Sequence, residues 1–331
     1  MTDHVDLPVS LSVLADAYGL PTDIDVVGHP GEGRSAWRLM SPATGDEWHV
    51  RAVHGGATSD ERAMFRTGRE LTTVALGAGV QIALPVAAND HPDRHAIDPG
   101  SIVVRRWLEG CSFEDRPGTV DGLPGEWLGG TLARLHGAWP LSRIDEEDLE
   151  LWYGLHPESR WVRWFNDADS AGLPWTALAA SAIPVIQEAT SLVASGLRVR
   201  DFVPVITHRC IEPRHVINGP GGNTLIDPFS AGPDLAWLEV VDTAGLFPDD
   251  SPAVLDSYAR SGGTIGRKVV EATARRYGRE MHELADEMRQ SLESPEDDEE
   301  ATIATAAIGA RIVRLTALVE ELESRASRVF G

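Results

Sequence analysis

Between Val205 and Gly232 the chain reads VITHRCIEPRHVINGPGGNTLIDPFSAG, a stretch that leaves little conformational choice. Gly219-Pro220-Gly221-Gly222-Asn223 separates two short apolar runs, Val216-Ile217 and Leu225-Ile226. Turn residues of this kind between apolar pairs predict a β-hairpin. An earlier apolar run, Val203 to Ile206, ends on His208, and the second hairpin run ends on Asp227. The hairpin therefore frames a polar loop, Arg209 to Arg214, with an imidazole at one side and a carboxylate at the other.

That layout fits the phosphoryl-transfer template, in which a loop H-R-D-x-x-x-x-N supplies a base and a metal ligand and a later Asp binds the main magnesium. The same spacing here reads His208-Arg209-Cys210, four residues, then His215, with Asp227 twelve positions on. Cys210 stands at the position of the base and His215 at that of the second metal ligand. Asp227 stands at the position of the main one. As an isolated residue such an Asp serves as a cap or turn. At this spacing, metal ligation is the better reading.

The net charge of -22 over 331 residues argues against nucleic-acid backbones and anionic membranes, which call for basic patches. It suits solubility or a cationic ligand. Cys111 and Cys210 lie too far apart in sequence to suggest a disulfide framework. The start, MTDHVDLPVS, lacks the basic region of a signal peptide, and no stretch is expected to reach the ~18 to 20 apolar residues of a membrane span. A cytoplasmic protein is expected.

A helix is predicted over 8–18, then strands over Ile24 to Val27, Ala36 to Met40 and Trp48 to Val53, separated by turns. Residues 59–77 read as a helix, and Leu84-Pro85-Val86 with Ile102 to Val104 would close a small sheet. After Trp107 to Gly110 the pattern turns helical. Leu128, Leu132 and Leu135 mark one face of a helix over 126–138, and further helices are expected over 181–195, 252–262, 266–291 and 301–328. The acidic run Glu296 to Glu300 reads as a solvated turn between the last two. The expectation is an α+β, bilobal arrangement: a β-rich lobe over 1–106 with one long helix, a linker over 107–111, and a helical lobe over 112–331 carrying the loop 208–215 and Asp227. Nucleotide would sit in the cleft at the linker.

Gly28-His29-Pro30-Gly31-Glu32-Gly33-Arg34-Ser35 approaches the P-loop pattern, but Arg34 replaces its Lys and a strand follows where the P-loop needs a helix. The segment reads instead as a hairpin turn whose backbone N–H groups, at Gly31 and Gly33, cover phosphates. A plain turn is the competing reading. Arg51 lies on the next strand, where kinases place a phosphate-gripping Lys, with Glu70 on the following helix as its expected partner and Glu61 as the rival. His282-Glu283-x-x-Asp286 lacks the second His of a zinc-protease helix and reads as a solvated face.

With these residues assembled, the chain resembles the aminoglycoside/macrolide phosphotransferase family, a branch of the protein-kinase-like fold, over about residues 20–290. The resemblance rests on LGGTLARLHG (128–137), HRCIEPRHVI (208–217) and LIDPFSAGPDLAWLEVV (225–241), with LDSYARSGG (255–263) and WLEG (107–110) in support. It implies that His208 and Arg209 structure the catalytic loop, and that Trp107 and Leu108 form the nucleotide-binding hinge. Arg51 with Glu70 would orient the phosphates of ATP or GTP, and Asp227 with His215 would hold Mg2+. Cys210 departs from the family, because a thiol is a weak acceptor for an alcohol proton. Glu212, two residues on, is the substitute acid.

Three readings follow. The first is an ATP-dependent phosphotransferase acting on a hydroxyl of a small molecule such as an antibiotic or natural product. The second is a pseudokinase that binds nucleotide or a partner enzyme without catalysis. The third is a kinase for Ser or Thr of a biosynthetic peptide, with the Trp-rich segment 152–175 as a groove. Those Trp also suit a core.

Overall fold

The computed structural model describes residues 7, 9–28, 36–53, 59–88, 102–114, 124–199, 202–293 and 298–331. Two compact units emerge, Met1–Gly122 with Ile206–Gly232, and Leu123–Val205 with Pro233–Gly331. The loop and hairpin around His208 thus group with the amino-terminal residues.

The first unit begins with α1 (Leu11–Tyr18), capped by the Ser10 hydroxyl. Strands β1 (Asp25–Gly28), β2 (Ala36–Met40), β3 (Glu47–Ala52) and β4 (Ile102–Arg106) form one antiparallel sheet in chain order, with α2 (Ser59–Gly77) between the third and fourth. Alternation decides which face is inside. Trp37, Leu39, Trp48, Val50, Ile102 and Val104 bury against Leu14 and Tyr18 of α1. The Tyr18 hydroxyl closes that contact by donating to the Ile102 carbonyl at 2.9 Å. On α2 the inward residues are Phe65, Gly68, Leu71, Thr72 and Ala75.

A second small sheet pairs β5 (Cys111–Ser112) with β7 (Val216–Gly219), and β7 with β8 (Gly222–Leu225), which is the expected hairpin. Gly110 has φ 136°, and a Cβ there would lie 2.2 Å from the Asn218 carbonyl oxygen. A side chain at position 110 would push the linker off β7, so glycine is required. The strand β6 (Pro204–Thr207) brings the chain into this unit and β9 (Gly232–Leu235) takes it out.

The second unit is helical: α3 (Gly125–Ala138), α4 (Glu146–Trp152), α5 (Glu158–Ala171), α6 (Thr176–Ser181), α7 (Ile183–Leu197), α8 (Ala236–Leu246), α9 (Ser251–Arg260), α10 (Ala274–Glu293), α11 (Asp298–Glu320) and α12 (Leu322–Phe330). Leu128, Leu132 and Leu135 are fully buried, as their spacing predicts. Arg275 of α10 is buried among Asp234, Glu239 and Asp242, and the Tyr153 hydroxyl donates to Asp234 at 2.8 Å. His136 of α3 donates through Nε2 to Glu239 at 2.8 Å and accepts from the Tyr258 hydroxyl at 3.1 Å. The polar residues of LGGTLARLHG and DLAWLEVV thus meet one another, in a structural network.

Several expectations need correction. Leu84-Pro85-Val86 forms no strand: an isolated bridge joins Pro85 to Arg105 and the Val86 amide donates to the Val104 carbonyl at 2.7 Å, but proline lacks the N–H that would extend the ladder. The helix expected from 266 begins at Ala274, after a 3-10 turn at Val270–Thr273. Asp298 to Glu300, read as a turn, already belong to α11, and the helix expected over 301–328 breaks at Glu321. Within α11, Thr302–Glu320 is long and apolar enough to cross a membrane by length and composition, contrary to expectation. Thr, Ala and Gly dilute its apolar residues in the sequence. In the fold Ile308, Ile312 and Leu315 are buried, and Arg311 and Arg314 pair with Glu280 of α10. Trp161 and Trp175, offered as walls of a peptide groove, are 3% and 0% exposed and serve the core.

Candidate active site

The β3 residues Trp48, Val50 and Ala52 face the core, so His49 and Arg51 share the opposite face. Register sets His49 across from Arg105 and Arg51 across from Val103. Arg105, 4% exposed, donates through Nη2 to His49 Nδ1 at 3.2 Å and lies 3.5 Å from Asp227 Oδ1. Its guanidinium sits 5.6 Å from the centre of the Phe229 ring. Arg51 Nη1 approaches Asp227 Oδ2 at 3.9 Å. Both approaches are ion pairs too long to be hydrogen bonds.

The polar loop is tied to the hairpin. His208 donates through Nε2 to the Ile226 carbonyl at 3.0 Å, and His215 donates through Nδ1 to the Cys210 carbonyl at 2.6 Å. A carbonyl only accepts, so both bonds fix where the ring proton sits. The His215 amide donates to the Glu212 carbonyl at 2.8 Å, closing the 3-10 turn Pro213–His215, and the Ile226 amide donates to the His215 carbonyl at 2.9 Å. The two rings lie 6.2 Å apart. Among the described residues, Arg209 (φ 65°) and Asp227 (φ 64°) are the non-glycine residues in the left-handed region. That conformation is costly for Arg, and its concentration here marks a constrained site.

Burial alone would raise the Asp227 carboxyl; Arg51, Arg105, His215 and His49 outweigh it and hold the group below its ordinary value. Burial lowers His49 to about 3, with Arg105 reinforcing the effect. It lowers His215 to about 4, with His208 next in importance. Burial also pulls the Arg105 guanidinium down, while Asp227 pulls it back. At neutral pH the His49 and His215 rings are therefore neutral, beside one carboxylate and two guanidiniums. The site is suited to anionic oxygen.

Not every residue expected here takes part. Glu70 does not pair with Arg51: it is exposed on α2, whose inward face runs through Phe65, Gly68 and Leu71, and Arg51 meets Asp227 instead. Gly31 and Gly33 lie outside the described residues. Trp107 and Leu108 are half-buried, and the Arg38 guanidinium stacks 4.4 Å from the Trp107 ring centre. Glu212 pairs with Arg214 at 2.7 Å. Arg105 and His49 were not foreseen. His49 carried a signal, a polar side chain alternating with core positions in β3, whereas Arg105 in the apolar run IVVRR carried none.

The donor set can be tested against Mg2+, the ion that the kinase-like fold implies. Asp227 Oδ1 is buried and has no hydrogen-bond partner, an orphaned oxygen of the kind a cation satisfies. Asp227 fits. His215 offers a neutral ring nitrogen, a borderline donor poorly matched to a hard ion that prefers oxygen.

No family model and no curated protein matches this sequence. Solved structures do match. A spectinomycin phosphotransferase in complex with ADP and spectinomycin aligns with 95% of this chain and 100% of its own, at 12% identity and a TM-score of 0.65. An amicoumacin kinase in complex with AMP-PNP and Ca2+ aligns with 95% and 92%, at 12% identity and 0.57. A choline/ethanolamine kinase family protein from Mesorhizobium loti aligns with 94% and 93%, at 18% identity and 0.56. The chain has the α+β, bilobal, protein-kinase-like fold. Aminoglycoside phosphotransferases and choline/ethanolamine kinases of known structure are similar to it in fold.

Proposed function

We propose that this protein is an ATP-dependent phosphotransferase whose acceptor is a hydroxyl of a small molecule. The observation that carries the reading is Asp227, held in a left-handed turn at the end of β8 with one buried oxygen unbonded and Arg51 beside it. Neighbours of the same fold bind ADP or AMP-PNP and act on antibiotics, which supports nucleotide and a small acceptor as ligands.

Arg51 and Arg105 supply a fork of donors to phosphate oxygens, a geometry guanidinium matches well. Their long approach to Asp227 leaves donors to share with a phosphate. Asp227 would hold Mg2+, which when bound neutralises charge developing on the transferred phosphoryl group. His208, bonded to Ile226, and His215, bonded to Cys210, fix the loop on which the acceptor hydroxyl would rest. Cys210 occupies the place of the base. The base contributes about 10²–10⁴-fold in such reactions, so turnover is expected to be slow. Glu212 is the nearby acid, oriented by Arg214.

A second reading, a nucleotide-binding pseudokinase, is favoured by Cys210 and by the two guanidiniums already gathered on Asp227. The test is a thermal-shift titration with ATP and magnesium on the native chain and on Asp227→Asn, followed by ADP release against a panel of hydroxylated acceptors. The phosphotransferase reading expects a magnesium-dependent shift that Asp227→Asn abolishes, and acceptor-dependent ADP. A shift without acceptor-dependent ADP would favour the pseudokinase. No shift at all would remove both.

A further inference from the structure

Cys210, Glu212 and His215 come together in a way that phosphoryl transfer does not require. One potential ligand atom from each, the Cys210 thiol sulfur, a Glu212 carboxylate oxygen and a His215 ring nitrogen, lie within 4.8 Å of one another. In a tetrahedral site with bonds of about 2.0–2.3 Å, neighbouring ligand atoms lie roughly 3.3–3.8 Å apart.

Three further features match a metal site. The His215 Nδ1–H donates to the Cys210 carbonyl at 2.6 Å, which puts the ring's lone pair on Nε2; ligating histidines are fixed by such a bond to a backbone carbonyl. The Glu212 carboxylate is oriented by Arg214 at 2.7 Å, as ligating carboxylates are by their own partners. The three donors sit on one short loop, pinned at the 3-10 turn Pro213–His215 and to Ile226.

We propose that Cys210, Glu212 and His215 form a binding site for a thiophilic divalent cation, Zn2+ in particular, distinct from the magnesium position at Asp227. The donor set selects the ion. Thiolate and imidazole favour zinc, whereas Mg2+ demands oxygen. Thiolate and carboxylate together balance the ion's charge. Three protein ligands leave a fourth position for water or a ligand oxygen. Under this assignment the thiol that replaces the usual base is a ligand, and His215 serves zinc rather than magnesium. The site needs no nucleotide, so it stands or falls apart from the phosphotransferase reading.

The experiment uses the full chain, stripped of metal and titrated with Co2+ and with Zn2+ in competition with a chromophoric chelator, without nucleotide. One equivalent of Co2+ should give a thiolate-to-cobalt charge-transfer band that Zn2+ abolishes and excess Mg2+ does not. Cys210→Ser should remove the band, while Cys111→Ser and Asp227→Asn keep it. His215→Ala and Glu212→Gln should each weaken Zn2+ binding by more than ~100-fold, beyond the range for residues that merely orient a ligand. Far-ultraviolet circular dichroism of each variant confirms folding. The proposal is overturned if folded Cys210→Ser binds Zn2+ as tightly as the native chain, if the band survives in it, or if the native chain gives no band.

Discussion

Replacing Arg105 with Met keeps the volume and stem of the side chain and removes its charge, which isolates the pairing between β4 and Asp227. At 3.5 Å and an effective dielectric constant of ~20, the bare attraction is about 5 kcal/mol. Burial offsets part of this, since it disfavours the Arg105 cation. Breaking a buried pair from one side typically costs ~3–5 kcal/mol, because the other charge is stranded. Arg51, a third exposed and 3.9 Å away, still compensates Asp227, so the lower end of that range is expected for Arg105→Met. His49 Nδ1 also loses its donor. The clean quantity is the coupling in a double-mutant cycle with Asp227→Asn, expected near 2 kcal/mol. Native-state hydrogen exchange on the amides of β3 and β4 reads the opening free energy of this sheet without mixing in the helical unit. If the two substitutions add within ~0.5 kcal/mol, the pair is not coupled and the electrostatic account of Asp227 fails.

Two other outcomes follow from the packing. A Cβ on Gly68 would lie 2.2 Å from the Pro228 carbonyl oxygen, so Gly68→Ala should destabilise by ~1–3 kcal/mol in urea melts, although Ala in an exposed helix would gain about 1; a neutral or stabilising result would refute this close approach of α2. Burial lowers His156 to about 4, with Arg160 adding to the effect. A folded value below the unfolded ~6.5 means the unfolded chain binds more protons in between, so stability is full above pH 6.5 and falls towards pH 4. His156→Gln should flatten that slope by up to ~1.4 kcal/mol per pH unit, and identical slopes for both proteins would sink the assignment.

What could be read from the sequence was local. The hairpin at Val216 to Leu225 has a turn no helix tolerates, and α2 has an unbroken periodicity, so both were legible to within a residue or two. The place of Asp227 was legible because it follows directly on the hairpin. Its partner was not. Arg105 looks like the exit of a strand in IVVRR, and only the pairing with β3 places it beside His49 and near Asp227. Glu70 was chosen as the partner of Arg51 on order along the chain, but helical phase turns it outward. The helices between Glu146 and Ala171 escaped notice because their polar faces are broad and their apolar residues few. The spacing Cys210-x-Glu212-x-x-His215 was visible throughout, yet whether three donors converge depends on the turn that Pro213 begins.

The left-handed backbone at position 227 has a consequence for how such a protein can change over time. Asp, Asn and Gly all accept that conformation at little cost, so a lineage can exchange one for another with its architecture undisturbed. The backbone would register no change, and the cost in stability would come from Arg105, left buried without its carboxylate. If the proposed phosphotransferase function holds, folded homologues that differ only at this residue would divide into active and silent ones, and an assay of turnover, not backbone geometry, would tell them apart.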